Sequence, residues 1–483
     1  MREFSRHFWA AAGAAVLATA GLMAQDDAVT AKARGIHERV MTLDTHDDIS
    51  PANFTAECNY TRDLGNQVNL PKMIKGGLDA AFFIVYVGQS TADDAFKPAG
   101  YDRAYKAAIE KFDAIHRLTE QIAPDKIGLA LTSADARKIY ASGRKVAFIG
   151  VENGYPIGDD IKRVQEFQQR GARYMSLAHN GHSQLSDSNT GEAQGFMWNG
   201  LSALGKQVIA EMNRVGMMID VSHPSKGSMM QTLAMTKAPI IASHSGVRKL
   251  ANHSRNLDDE QMLALKKNGG VMQTVAFSSY VKLAPADSPQ RSAALNELRR
   301  EFGLPENTPL AGGGRGGGRG GGRGNSPCAP AGQAATGAAA APATVPGAIP
   351  NAPAAAAGRG QGGGRGGALA ALTEEQRTAL QAKLADLNAK YPPPAPVRAT
   401  VKDFVDHIDY AVKLIGIDHV GISSDFDGGG GVDGWNGADE TFNVTLELVR
   451  RGYTEPQIAK LWSGNLLRVL DEVQAVAKKL QAK

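Results

Sequence analysis

The sequence predicts a (β/α)8 barrel. Three features carry that expectation: short apolar runs bounded by turn residues, amphipathic stretches between them, and ligand-type side chains gathered where the apolar runs end. The runs occupy residues 40–43, 80–87, 146–151, 174–177, 217–221, 240–242, 270–275 and 419–422, which makes eight candidate strands. Between them, residues 105–121, 161–169, 206–215, 258–267 and 401–415 repeat apolar side chains at the spacing of a helix with one buried face. Strands alternating with helices imply βαβ units and a parallel sheet, and eight such units suggest closure. The competing architecture, an open doubly wound sheet, calls for a topological switch point and an early Gly-rich phosphate turn. The early strands have no such turn.

Length and composition bound the rest. A chain of 483 residues with 43% apolar content and nearly balanced charge has ample material for a large core, which excludes disorder of the whole chain. The net charge of +4 loses meaning once Arg315, Arg319, Arg323, Arg359 and Arg365 are assigned to one Gly-rich stretch, so charge makes no case for nucleic acid. Residues 1–24 read as a signal peptide: Arg2 and Arg6 precede an uncharged apolar and small-residue run. The expected destination is export, periplasmic or secreted, with no stable membrane span after cleavage; an uncleaved anchor is the alternative. Residues 25–310 would hold barrel strands one to seven and residues 369–483 the remainder of the barrel and the C-terminal helices. Residues 311–368, a Gly/Arg then Ala/Pro then Gly/Arg tract, read as a disordered insertion before the last strand, looped out between helical pieces at 292–302 and 373–390. Cys58 and Cys328 have no partner at metal-ligand spacing, and Cys328 lies in the low-complexity tract, so both are read as ordinary residues and no disulfide framework is expected.

The chemistry lies at the carboxyl ends of the runs. The first ends in Thr42-Leu-Asp-Thr-His-Asp-Asp48, where one intervening residue sets His46 and Asp48 on the same side of an extended strand. The third ends at Glu152, the fifth at His223 and the sixth at His244. In a barrel these ends converge on one face, so His, Asp, Glu, His and His meet in one place. Imidazoles and carboxylates without a thiolate suit zinc, and they suffice for two ions if one carboxylate bridges. Asp425 and Asp427, after the last run, add carboxylates at the same rim, one of them a proton carrier. His179, His182, His253 and Arg255 offer polar groups for a substrate, although His182, His253 and Asp427 are more simply read as hydrogen-bonding loop backbone.

Six segments, DTHDD, QVNLPKMIKGGLDAAFFIVYV, VENG, EMNRVGMMIDVSHPS, ASHSGVRKLANHSRNLDDE and DHVGISSDFDG, together with the ending Trp462-Ser-Gly-Asn465-Leu-Leu-Arg468, resemble the membrane dipeptidase (renal dipeptidase) family, peptidase family M19 of the amidohydrolase superfamily. The resemblance covers nearly the whole chain after residue 24. It departs at the 311–368 insertion and at Gln273-Thr274-Val275. It implies a dipeptidase using two zinc ions and a bridging hydroxide, with His46, Asp48 and Glu152 on one ion and Glu152, His223 and His244 on the other. It further assigns Asp425 to proton transfer, and His179 and Arg255, beside Asp425, to the dipeptide substrate; it leaves room for a homodimer. The alternatives are another amidohydrolase activity, such as N-acyl amino acid deacylase or lactonase, and a non-catalytic metal-binding or Arg-Gly-tract interaction protein.

Overall fold

The structure, a computed structural model, describes residues 27–89, 94–306, 308, 310, 328, 369, 372–395 and 397–482. The expected signal segment and, Cys328 excepted, the 311–368 insertion lie outside the described residues.

The barrel is present. Its strands are β1 (Leu43–Asp48), β2 (Ala80–Tyr86), β4 (Lys145–Glu152), β5 (Ala172–Ser176), β6 (Met218–Asp220), β7 (Ile241–Ser245), β8 (Val271–Val275) and β9 (Val420–Ser423), all paired in parallel in that order. A short ninth strand, β3 (Ile127–Leu129), pairs only with β4 and stands off the ring. The ring nearly closes where Asp47 bridges to Phe426 and the Asp48 amide donates to the Phe426 carbonyl at 2.9 Å.

Two strand expectations need correction. The first strand is not 40–43 but Leu43–Asp48: Val40 terminates the preceding helix, and the ladder falls on the polar segment itself. Three residues, Ile127–Leu129, were too few to register as a separate apolar run.

Alternation along the strands separates two apolar regions. Phe83, Ile149, Met175 and Met272 belong to the large cluster that includes the helix side chains Phe112, Phe167, Val208, Leu265 and Phe404. The alternate positions Leu43, Phe82, Phe148, Tyr174, Met218, Ile241 and Val271 cluster with Leu466, Leu470 and Val473 of the last helix, Asn465–Gln481. Most of these strand residues lie at or near the amino ends of their strands, so that helix closes the bottom of the barrel and leaves the carboxyl ends for chemistry. The expected helices appear as Pro98–Arg117, Lys162–Gln169, Ala203–Val215, Asp259–Asn268 and Val401–Ile415. The two pieces flanking the insertion, Pro289–Glu301 and Glu374–Lys390, form their own cluster through Leu295, Leu298, Leu380 and Leu384. Among the described residues no helix is long and apolar enough to cross a membrane.

The reading of the cysteines is overturned: Cys58 and Cys328 form a disulfide, their Cα atoms 5.8 Å apart and 270 positions apart in sequence. A single pair at that separation carries no spacing signal, and the Gly-rich context of Cys328 concealed that its side chain packs against the main apolar cluster. The bond ties the insertion to the loop after β1, the loop that also carries Asn66 and Gln67 to Asp427 at the carboxyl-end rim of the barrel. Closing so long a loop restricts the unfolded chain, so Cys58→Ser or Cys328→Ser is expected to cost about 2–5 kcal/mol. Denatured, unreduced protein should titrate no free thiol, and its thermal midpoint should fall on reduction; an unchanged midpoint would mean that the tether contributes nothing to stability.

Candidate metal centre

The strand ends deliver the expected side chains. His46 and Asp48 close β1, Glu152 is the last residue of β4, and His244 lies on β7. His179, His223 and Asp425 follow β5, β6 and β9 by two or three residues. The same-side argument for His46 and Asp48 was incomplete, because the β1–β2 register shifts between Asp44 and Asp47. A matching shift between Ala242 and Ser245 brackets His244 on β7. Bulges of this kind re-aim single side chains, and here each one carries a candidate ligand.

One carboxylate oxygen lies at the centre. Glu152 Oε1 is 2.9 Å from His223 Nε2, 3.4 Å from His179 Nε2, and 3.6 Å from both His46 Nε2 and His244 Nε2. Among the described residues, three groups have ligand atoms within 4.8 Å of one another: His46, Glu152 and His244; Glu152, His179 and His223; and His46, Asp48 and Asp425. Every residue singled out in the sequence for the metals or for proton transfer enters these groups, and so does His179. Arg255 stands behind them, Nη1 donating to the Ser222 carbonyl and Nη2 to the His244 carbonyl at 3.1 Å.

The electrostatics follow from burial. Desolvation alone would raise Glu152, but the imidazoles of His179 and His46 and hydrogen bonding from His223 hold it well below the ordinary carboxylate value. Burial opposes protonation of His46, yet Glu152 and the neighbouring aspartates raise it to about 9. His223 and His244 are driven well below the usual imidazole value, by burial first and then by Arg255 and their fellow histidines. Burial pushes Asp425 up to about 8, with His46 opposing and Asp48 and Glu152 adding to the rise.

These residues fit a cation. His46 Nε2 and Glu152 Oε2 are buried without a hydrogen-bond partner, and the Nε2 atoms of His223 and His244 face one another at 3.0 Å. Two imidazole lone pairs at that separation repel unless a proton or a cation lies between them, and an unpaired buried carboxylate oxygen is costly. Nitrogen and oxygen donors without sulfur are the set that zinc accepts.

Loop roles fall as the sequence suggested for the three secondary candidates. His182 bonds the Gly195 carbonyl at 2.8 Å and accepts from the Ser188 amide at 3.1 Å; His253 Nδ1 accepts from the Arg255 amide at 3.1 Å; Asp427 accepts from the Gln67 amide at 2.8 Å. Sequence reasoning missed Tyr86, whose hydroxyl lies 3.2 Å from His179 Nδ1, and Tyr174, whose hydroxyl lies 2.9 Å from His46 Nδ1. It also missed Asp220 and Ser243 behind His244. The dipeptides Ser222-His223 and Ser243-His244 were a signal for the last, since a serine beside a ligand histidine can orient it. Asn153, Asp425 and Asp427 adopt left-handed backbone with φ of 79°, 60° and 59°, strain of the sort that gathers at functional sites.

Comparison with known proteins agrees with this geometry. Residues 30–483 match the family model described as Membrane dipeptidase (Peptidase family M19). Dipeptidase tcpJ of Claviceps purpurea (strain 20.1) is 25% identical over 418 residues, 86% of this chain and 72% of the relative. Dipeptidase aclJ of Aspergillus oryzae is 25% identical over 453 residues, 92% of this chain and 80% of the relative. Among solved structures, the probable dipeptidase PvdM from Pseudomonas aeruginosa is 29% identical with a TM-score of 0.69, covering 93% of this chain and all 100% of that one. A metallo peptidase from Rhodobacter sphaeroides, liganded with a phosphinate mimic of the dipeptide L-Ala-D-Ala, is 18% identical with a TM-score of 0.59 and covers 90% of this chain and 99% of that one, a likeness of fold.

Gly428 offers a test of the cluster. A Cβ at that position would collide with Oδ1 of Asp425 and Oδ2 of Asp48 together. Gly428→Ala should therefore leave the barrel folded, with an unchanged far-ultraviolet spectrum, while lowering bound metal and turnover at least about tenfold, a loss comparable to that caused by disturbing ligand orientation elsewhere. Wild-type metal content and turnover in this variant would mean that the two carboxylates do not act together.

Proposed function

The chain belongs to the membrane dipeptidase family, and on that premise we propose that it is a zinc-dependent dipeptidase holding two ions, with Glu152 as the bridge. The observation that carries this reading is the single Glu152 oxygen ringed by four imidazole nitrogens between 2.9 and 3.6 Å away. In it His46, Asp48 and Glu152 serve one ion, and Glu152, His223 and His244 the other. Bound there, zinc would supply Lewis acidity and lower the pKa of water from ~15.7 toward neutrality.

The chain's own residues do the rest. Asp425, raised by burial first and then by its carboxylate neighbours, is suited to take a proton from the attacking water and to return it to the leaving amine. His179 is braced by Tyr86 through Nδ1, which leaves Nε2 to donate to the oxygen that gains charge as the scissile carbonyl is attacked. Arg255 directs both Nη atoms at backbone carbonyls, but its buried Nε has no hydrogen-bond partner, and each Nη carries a second N–H. That edge suits the carboxylate of a short substrate, which would sit one residue from the bond cleaved. With residues 1–24 as a signal peptide, the enzyme would work outside the cytoplasm, where the Cys58–Cys328 bond would persist.

The test is elemental analysis of the purified protein beside turnover of L,L- and L,D-dipeptides and N-acyl amino acids. About two zinc ions per chain and dipeptide hydrolysis are expected. Asp425→Asn should keep the zinc while kcat falls by about 10²–10⁴. Metal-loaded protein that cleaves only N-acyl amino acids would leave the centre standing and remove the dipeptide assignment; protein that takes up no zinc would remove both.

A further inference from the structure

We propose that Tyr174, and separately Asp220 acting through Ser243, are positioning residues that fix the tautomers of His46 and His244, so that each ring presents a bare Nε2 to the metal centre. The inference rests on reading that centre as metal-binding and extends it to a layer of side chains beneath it.

The argument is a count of protons. A phenol has one hydrogen to give, and the Tyr174 hydroxyl lies 3.0 Å from the Thr45 carbonyl oxygen, an atom that can only accept. The Tyr174 hydrogen is therefore directed there. The same hydroxyl lies 2.9 Å from His46 Nδ1, and with its hydrogen already placed it can only accept from that nitrogen. Nδ1 of His46 must then carry the proton. In a neutral imidazole this leaves a lone pair on Nε2, the atom that lies 3.6 Å from Glu152 Oε1.

His244 repeats the logic with different residues. Ser243 Oγ donates to Asp220 Oδ2 at 2.9 Å; the Ser243 amide at 2.8 Å, the Ser222 amide at 3.1 Å and the Ser222 hydroxyl at 2.9 Å all donate to the other oxygen, Oδ1, and three such donors favour the ionised carboxylate, in which Oδ2 can only accept. The Ser243 oxygen then accepts from His244 Nδ1, 2.8 Å away, and Nε2 is again bare. Tyr174, Asp220 and Ser243 are all fully buried, so water does not substitute for any of them. Glycine makes the first arrangement possible: a Cβ on Gly150 would overlap the Tyr174 ring and its hydroxyl.

Both imidazoles thus have a preset orientation and proton arrangement, in the manner by which outer hydrogen bonds orient ligand histidines in metal sites. The two devices share no residue but lie in contact, since Ser243 also reaches the Tyr174 hydroxyl and the His46 and His244 rings are 3.9 Å apart, so each variant is compared with the other.

The experiment uses Tyr174→Phe and Ser243→Ala in the full chain, with zinc as the probe and Ser243→Thr as the conservative variant. Each of the first two should retain zinc about 10–100-fold less tightly against a competing chelator, and the threonine variant, which keeps a hydroxyl, should stay near wild type. In 15N-histidine spectra of the wild type, Nδ1 of His46 and of His244 should be protonated both with and without zinc, and each variant should disturb its own ring more than the other. Unchanged zinc retention in both variants, or an unprotonated Nδ1 on either ring of the wild type, would overturn the proposal. Failure of the wild type to bind zinc would overturn the metal reading instead, while the spectrum of the metal-free protein still decides the tautomers.

Discussion

A carboxylate is expensive to bury. Removing one from water costs several kcal/mol even after relaxation, and the cost is met only by nearby positive charge or by donors. Glu152 is 2% exposed and sits at the tip of β4. The side chains that converge on it are those that can meet this cost: four imidazoles on the adjoining strand ends, two of which, His223 and His244, are themselves held neutral by burial. A neutral imidazole offers a lone pair and not a charge, so an ionised Glu152 calls for a cation, either a metal ion or a proton on His46, which the surrounding carboxylates raise to about 9. The positions of Asp48, His179, Asp425 and Arg255 make sense as consequences of that demand.

The parts of this arrangement that depend on strand order were legible in the sequence. A parallel barrel brings every carboxyl strand end to one face, so ligand-type residues after successive apolar runs must meet whatever the detailed angles are. Glu152, His223 and His244 were found that way. The parts that depend on local irregularity were not legible. The register shifts around His46 and His244 leave no mark in the pattern of apolar residues. For the same reason the first strand was set three residues early: an apolar run usually marks a strand, but β1 is made of Leu-Asp-Thr-His-Asp-Asp, and its polar residues are buried because they line the site and the layer beneath it.

The cysteine pair marks a different limit. Hydropathy and spacing report on neighbours along the chain, whereas Cys58 and Cys328 meet only because the fold returns the insertion to the loop after β1. That loop supplies Asn66 and Gln67 to Asp427, two residues from Asp425. The insertion is thus covalently joined, through Cys328, to the segment that holds Asp427 beside Asp425, although its composition gives no hint of a link.

The barrel interior divides into two zones with opposite chemistry, and the division explains several small residues. Below, Phe82, Phe148 and Leu470 fill the bottom with apolar volume. Above, Thr45, Tyr174, Asp220 and Ser243 form a buried polar layer in which Thr45 Oγ1 donates to the Ser243 carbonyl at 2.7 Å across the barrel. A polar layer is stable in such a place only when its hydrogen bonds are made, and making them requires room for the larger members. Gly150 supplies that room for Tyr174, whose hydroxyl is bonded to the Thr45 carbonyl, while Gly421 leaves space for the amide of Gln273, whose Oε1 and Nε2 are buried without a hydrogen-bond partner. Gln273 is mid-strand and 1% exposed opposite that glycine, so its side chain fills the barrel. Polar side chains in this layer bond the histidines that surround Glu152, so the apolar bottom holds the barrel together while the layer above it supports the candidate metal centre.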